Sequence, residues 1–271
     1  DELSLKGVLT AMRARRVYAT TGVRIRAAVT VDGHFIGEKY TVDDSCEIKV
    51  NVEGTGPLEK IEVYRGLDLI HTEDVSAPPT GSKIRVLWDG ASREQSYSGV
   101  VWDGHIDVGD GEIGDVSVVR FDSPRSRYTR ISSSRLDLDG WACGYPSGVV
   151  IDLDKVPTSD ITLTMNSALI GRQSYGKTGA EKPMRIAHAP GGSTWASATM
   201  SQLEERAVNV ELGHVTRSVR LELAPEPATD RAEFTVNFDG IKPGVNPIWV
   251  KVIQQDMEMA WISPVFAENL G

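Results

Sequence analysis

At 271 residues, with 40% apolar and 25% charged side chains, the chain can hold one large domain or two small ones. Its formal charge of −9 argues against nucleic acid and anionic membrane surfaces, which are bound through Lys and Arg. No apolar run approaches the ~20 residues of a membrane-spanning helix. Asp1 stands where an initiator Met would be, and no signal-peptide pattern follows, so Asp1 reads as a processed or cut end. The compartment, periplasmic or cytoplasmic, stays open.

In chain order, Leu5, Val8, Leu9 and Met12 recur at i, i+3, i+4 and i+7, which predicts a short amphipathic helix. Ser4 is placed to cap it, and Arg13, Arg15 and Arg16 load its last turn with charge that suits the dipole. Val17 to Thr21 is β-branched and aromatic, and Gly22 ends the run. Alternating strands follow at 23–31, 46–52, 61–64 and 69–72, with Asp32-Gly33 as a hairpin turn. After Pro78-Pro79 the strands fall at 84–88, 100–108, 116–121, 148–153 and 161–165. The stretch from Arg125 to Arg135 reads as a polar, basic, solvated loop, with an anion or partner site around Arg125, Arg127, Arg130 and Arg135 as the alternative, and 171–192 as a long Gly-, Lys- and Pro-rich loop. Gln202 to Arg206 suits one helical turn. Strands return at 208–212, 219–223, 234–238, 249–253 and 260–266.

Short strands with regular turns predict a mainly β fold, an antiparallel sandwich of the immunoglobulin-like kind. Residues 22–76 with 208–271 form it, 77–207 form an inserted β-rich, sandwich-like unit, and 1–21 form the last helix of an upstream domain. Cys46 and Cys143 form no C-x-x-C pair, and two buried thiols are favoured over one disulfide.

Both ends carry a resemblance. The segment Ala11 to Gly22 (AMRARRVYATTG), the turn Val31-Asp32-Gly33 to Gly37, the run Gly56 to Gly66 and the closing WVKVIQQDMEMAWISPVF resemble a large family of uncharacterised proteins. These carry an N-terminal PHP-like barrel, a predicted metal-dependent phosphoesterase. Met257 stands where that family usually has Gly. The likeness covers roughly residues 5–75 and 240–266 and is loose between them. It implies that the divalent metal and its His, Asp and Glu ligands belong to a barrel upstream of the arginine-rich helix. The five His of this chain form no H-x-H or H-E-x-x-H pair. The chain is therefore expected to be a non-catalytic C-terminal region, with Arg13, Arg15 and Arg16 at a domain interface and the catalytic domain as partner.

Gly171 to Thr178 matches G-x-x-x-x-G-K-[ST] in full, yet Gly179 and Pro183 follow where a P-loop needs a helix to begin. Asp103, Asp107, Asp110 and Glu112, with Asp115 close by, are candidate Ca²⁺ ligands, set against ordinary Asp-Gly turns. Asp137, Asp139, Asp152 and Asp154 repeat that signal more faintly. Trp88, Trp102, Trp141 and Trp195 lie in the middle segment, where exposed indoles would stack on sugars and buried ones would be core; Trp249 and Trp261 read as core. The alternative function is a carbohydrate-binding sandwich that uses the middle Trp residues.

Overall fold

The computed structural model describes residues 3–90, 99–121, 123–172, 186–212 and 217–271, with the backbone alone for 169–172 and 186–191. The chain is mainly β and divides into two units, 1–78 with 225–271, and 79–224. Each unit is a sandwich of mainly antiparallel strands with its own core.

The first unit opens with α1 (Leu5–Arg13) and seven strands: β1 (Tyr18–Thr20), β2 (Arg26–Val31), β3 (His34–Phe35), β4 (Lys39–Thr41), β5 (Cys46–Glu53), β6 (Leu58–Arg65) and β7 (Asp68–Asp74). The second contributes β8 (Lys83–Asp89), β9 (Gly99–Asp107), β10 (Glu112–Val119), β11 (Arg127–Arg130), β12 (Arg135–Ala142), β13 (Ser147–Lys155), β14 (Ile161–Arg172) and β15 (Ile186–Ala198). It continues with α2 (Met200–Glu205), β16 (Val208–Glu211) and β17 (Ser218–Leu223). The chain then completes the first unit with β18 (Arg231–Phe238), β19 (Gly244–Gln254), β20 (Met259–Ile262) and β21 (Val265–Asn269).

In the first unit β18-β5-β2-β3 form one sheet. The other is built on β19: β6 runs along one edge, and β20 and β21 follow each other along the opposite edge, broken at Pro264. Proline lacks the N–H that an unbroken ladder needs there. The period-2 pattern is realised residue by residue, since Cys46, Ile48, Val50 and Val52 are all buried while Lys49 and Asn51 face out. Asp32 (φ 48°) and Gly33 (φ 80°) make the positive-φ hairpin turn between β2 and β3. Met257, at the position where the resemblance has Gly, also sits at positive φ (63°) and is buried. The turn between β19 and β20 thus holds a side chain in a conformation glycine adopts freely.

The second unit stacks the sheet β10-β13-β8-β17-β16 on the sheet β11-β12-β9-β14-β15. Ile84, Val86, Trp88, Ile151 and Leu221 from the first meet Trp102, Ile106, Leu138, Leu163 and Met165 from the second in one core. Gly140 is required here, because a Cβ at that position would come within 2.4 Å of the Trp88 indole.

Several expectations change. The second boundary falls at 224/225 rather than 207/208, because β17 pairs with β8 (Val219↔Trp88) and β16 with β17. An alternating strand fits either sandwich, and only the pairing decides. Residues 17–21 do not belong with the helix: β1 pairs with β20, and Thr21 N donates to Met259 O. The polar stretch 125–135 contains β11, whose four residues are all exposed and therefore show no period. Within the expected loop 171–192, the backbone of β15 begins at Ile186 despite Pro190, Gly191 and Gly192. Cys46 is buried, and burial, aided by the charges of Asp32 and Asp239, pushes its thiol up to about 12. Cys143 is exposed, so the two-buried-thiols reading fits Cys46 alone.

Candidate functional site

Two places gather the residues that the sequence singled out. The first is the outer face of the β11-β12-β9-β14-β15 sheet. Alternation turns Trp102, Ile106, Leu136 and Leu138 inward and leaves Asp103, His105, Asp107, Asp137, Asp139 and Trp141 outside. Pairing sets them in rows. Asp139 faces Asp103, which faces Asn166; Asp137 faces His105, which faces Thr164, which faces Trp195; Trp141 faces Val101.

Like charges directly opposite repel, and neighbouring donors relieve them here. Arg127 Nε donates to Asp139 Oδ2 at 2.8 Å, and Asn166 Nδ2 donates to Asp103 Oδ2 at 3.0 Å. Arg135 Nε donates to Asp137 Oδ1 at 3.3 Å. Arg130 donates to the carbonyls of Ile113 and Gly114, where the β10 ladder slips register. Three of the four arginines of the supposed solvated loop are therefore committed to structure. Arg125 makes no side-chain hydrogen bond or ion pair among the described residues, and its backbone N donates to Ser123 Oγ. At one end of this face lies a cavity of about 430 Å³ lined by Val101, Pro124, Arg125, Arg127, Asp139 and Trp141, with Trp102 and Gly140 behind.

The four middle tryptophans separate. Trp88 and Trp102 are fully buried and cannot stack on a ligand. Their large apolar surface is what joins the two sheets of the second unit. Trp141 is half-buried on the outer face, and Trp195 is 63% exposed. Trp249 and Trp261, expected as core, stand on outer strand faces instead. Trp249 stacks on Tyr64 with centroids 4.3 Å apart, and Trp261 is exposed.

The acidic turn is not gathered into a metal-binding group; among the described residues no three His, Cys, Asp or Glu side chains are arranged to hold a metal. Asp103 lies on the sheet face, Asp107 Oδ1 accepts from Gly109 N, and Glu112 is exposed at the start of β10. Asp110 clasps the turn before β14. Its Oδ1 accepts from the backbone N of Thr158 and Ser159 and from Ser159 Oγ, and its Oδ2 accepts from Thr158 Oγ1 at 2.6 Å. These bonds, the Thr158 hydroxyl foremost, hold the Asp110 carboxyl well below the usual carboxylate range. A depressed folded value gives stability that is present above pH ~4 and lost as pH falls through the folded value. Asp110→Asn is therefore expected to destabilise the second unit at pH 7 and to flatten its acid dependence below pH 4. Urea unfolding at pH 7 and pH 3 reads both, and an unchanged pH slope would refute the clasp.

The second place is α1. Ser4 Oγ accepts from Gly7 N at 3.1 Å, capping the helix as its sequence suggests. No residue of the helix is buried: Leu5, Val8, Leu9 and Met12 are 78, 47, 40 and 58% exposed. Its C-terminal end is nonetheless fixed. Arg15 donates from Nε (3.0 Å) and Nη2 (2.7 Å) to Gly37 O and lies over the Phe266 ring. Arg16 Nη2 donates to Glu38 Oε1 at 3.0 Å, and Arg16 lies over Phe35. Arg13 is exposed, with no ion pair among the described residues. Gly37 (φ 84°) admits this approach, since a Cβ there would come 2.0 Å from Ala14 O.

The remaining sequence signals lie elsewhere. Of the GKT-like run, Gly171 and Arg172 end β14, and Gln173 to Thr178 lie outside the described residues. No described helix is long and apolar enough to cross a membrane. Comparison with family models, curated proteins and solved structures gave no match to this chain.

Proposed function

We propose that this chain is the non-catalytic C-terminal accessory region of a PHP-like, metal-dependent phosphoesterase, with α1 as the seam against the upstream catalytic domain. One observation carries the reading: a helix anchored through Arg15 and Arg16 whose whole apolar stripe is uncovered. A nine-residue helix is marginal in water by itself, and most helical stability comes from packing an apolar face. Each buried side chain of this kind contributes about 1.5–3 kcal/mol. The face therefore favours a covering body, and the resemblance supplies its identity. In this reading the first unit is an immunoglobulin-like scaffold, Arg13 is the arginine left for the catalytic domain, and the divalent metal belongs to that domain.

Hydrogen exchange tests this. The amides of residues 5–13 should exchange within seconds in this chain and at least tenfold more slowly in the polypeptide that continues upstream. Equal exchange in the two would overturn the reading, as would an upstream sequence without metal-ligating His and Asp. In the isolated chain, Gly37→Ala should also release the anchored end of the helix, seen as faster exchange of the Ala14, Arg15 and Arg16 amides with the rest of the first unit unchanged.

A further inference from the structure

We infer that the cavity walled by Trp141, Arg125 and Arg127 on the second unit is a binding site for a saccharide that ends in a single acidic sugar, a uronate or a sugar carrying one sulfate. This site is independent of the α1 seam. Its volume of about 430 Å³ falls in the range of small-molecule sites and suits one or two sugar rings. The wall is an indole, whose negative π face attracts the polarised C–H groups on the apolar side of a pyranose. The same cavity is lined by Arg125 and Arg127, whose guanidiniums are planar donors that match carboxylate and sulfate in pairs. Arg127 is oriented through its Nε by Asp139, which leaves its terminal nitrogens for a ligand. Arg125 has no competing side-chain partner among the described residues.

The rest of the face sets the ligand's length and charge. Beyond the cavity the row continues through Asp103 and Asn166, paired to each other and offering planar acceptors and donors to hydroxyl groups. Trp195 gives a second exposed indole three strands away. At about 4.8 Å per strand across the sheet and about 3.3 Å per residue for the four positions between Trp141 and the row of Trp195, the indoles stand roughly 20 Å apart, a distance an oligosaccharide spans and a single sugar does not. Asp103 and Asp137 line this path. A polyanion would meet repulsion along it, so the negative group belongs only at the arginine end. An overall charge of −9 further disfavours a polyanionic glycan.

Titration of the whole chain with glucuronate and with an oligosaccharide ending in glucuronate, followed by tryptophan fluorescence and calorimetry, tests the assignment. The oligosaccharide should bind at least tenfold more tightly than free glucuronate, and glucuronate more tightly than glucose or inorganic sulfate. Trp141→Ala should weaken binding tenfold or more, and Trp195→Ala should affect the oligosaccharide alone. Arg125→Ala removes an exposed side chain that has no hydrogen-bonded or ionic partner among the described residues, and it should reduce glucuronate to the level of glucose. Sulfate binding as tightly as glucuronate, heparin binding more tightly than the singly charged oligosaccharide, or full affinity in Arg125→Ala would each overturn the proposal.

Discussion

Trp88→Ala is expected to lower the stability of the second unit by about 3–5 kcal/mol, a fall in its melting temperature on the order of 10 °C. Trp88 is fully buried on β8, and its indole lies against the backbone of Gly140 on the facing sheet and 6.0 Å from the Phe121 ring. Glycine has no side chain with which to fill the space that the indole would vacate. The cavity therefore persists, and cavities that cannot collapse are the expensive ones. Trp88→Phe should be milder. The Trp88 Nε1 has no hydrogen-bond partner among the described residues, so Phe gives up volume but no bond. Urea unfolding followed by circular dichroism measures both. A loss under about 1 kcal/mol for the alanine variant would mean that the sheets close over the gap.

Arg85→Met should remove a comparable amount, about 3–5 kcal/mol, by stranding a buried carboxylate. Arg85 on β8 and Glu222 on β17 are direct cross-strand partners, 3% and 7% exposed. The guanidinium reaches Glu222 Oε1 from Nε at 2.7 Å and from Nη2 at 2.6 Å. Arg220 also pairs with Glu222, through Nη2 at 2.5 Å, but its side chain is half in solvent and recovers only part of the loss. The double variant Arg85→Met with Glu222→Leu should be more stable than the single one, because it no longer strands the Glu222 carboxylate. A double variant as unstable as the single one would show that the charges contribute more than their mutual cancellation. Exposed pairs such as Lys49–Glu47 should be within error of neutral when broken.

Much of the architecture is written locally. Strand β5 is legible because its side chains alternate, and the hairpin after β2 because Asp-Gly is the sequence that takes two positive φ values with little strain. The helix is legible because its stripe, its cap and its terminal arginines coincide. Strand β11 shows no pattern because an exposed edge strand buries neither face, and β15 is masked by Pro and Gly that break its propensity. Neither can be recovered without its ladder partner, β12 for one and β14 for the other.

The candidate site divides in the same way. Its ingredients, indoles, arginines and carboxylates in the middle segment, stand in the sequence. Which of them meet is set by register. Trp102 and Trp141 read alike until pairing turns one into the core and the other toward Arg125 and Arg127. Asp110 looks like a cation ligand until Thr158 and Ser159, nearly fifty residues on, are seen to occupy its oxygens.

The amino-acid sequence by itself determined that this is a mainly β chain with a short amphipathic helix ahead of its strands, because periodicity and turn chemistry act over a few residues. The tertiary structure alone decided where the inserted unit ends, which indoles are buried, and that the helix is anchored by its arginines while its apolar stripe stays uncovered. Those outcomes depend on pairing between residues far apart in the chain. An alternating strand carries the same pattern whichever sheet receives it.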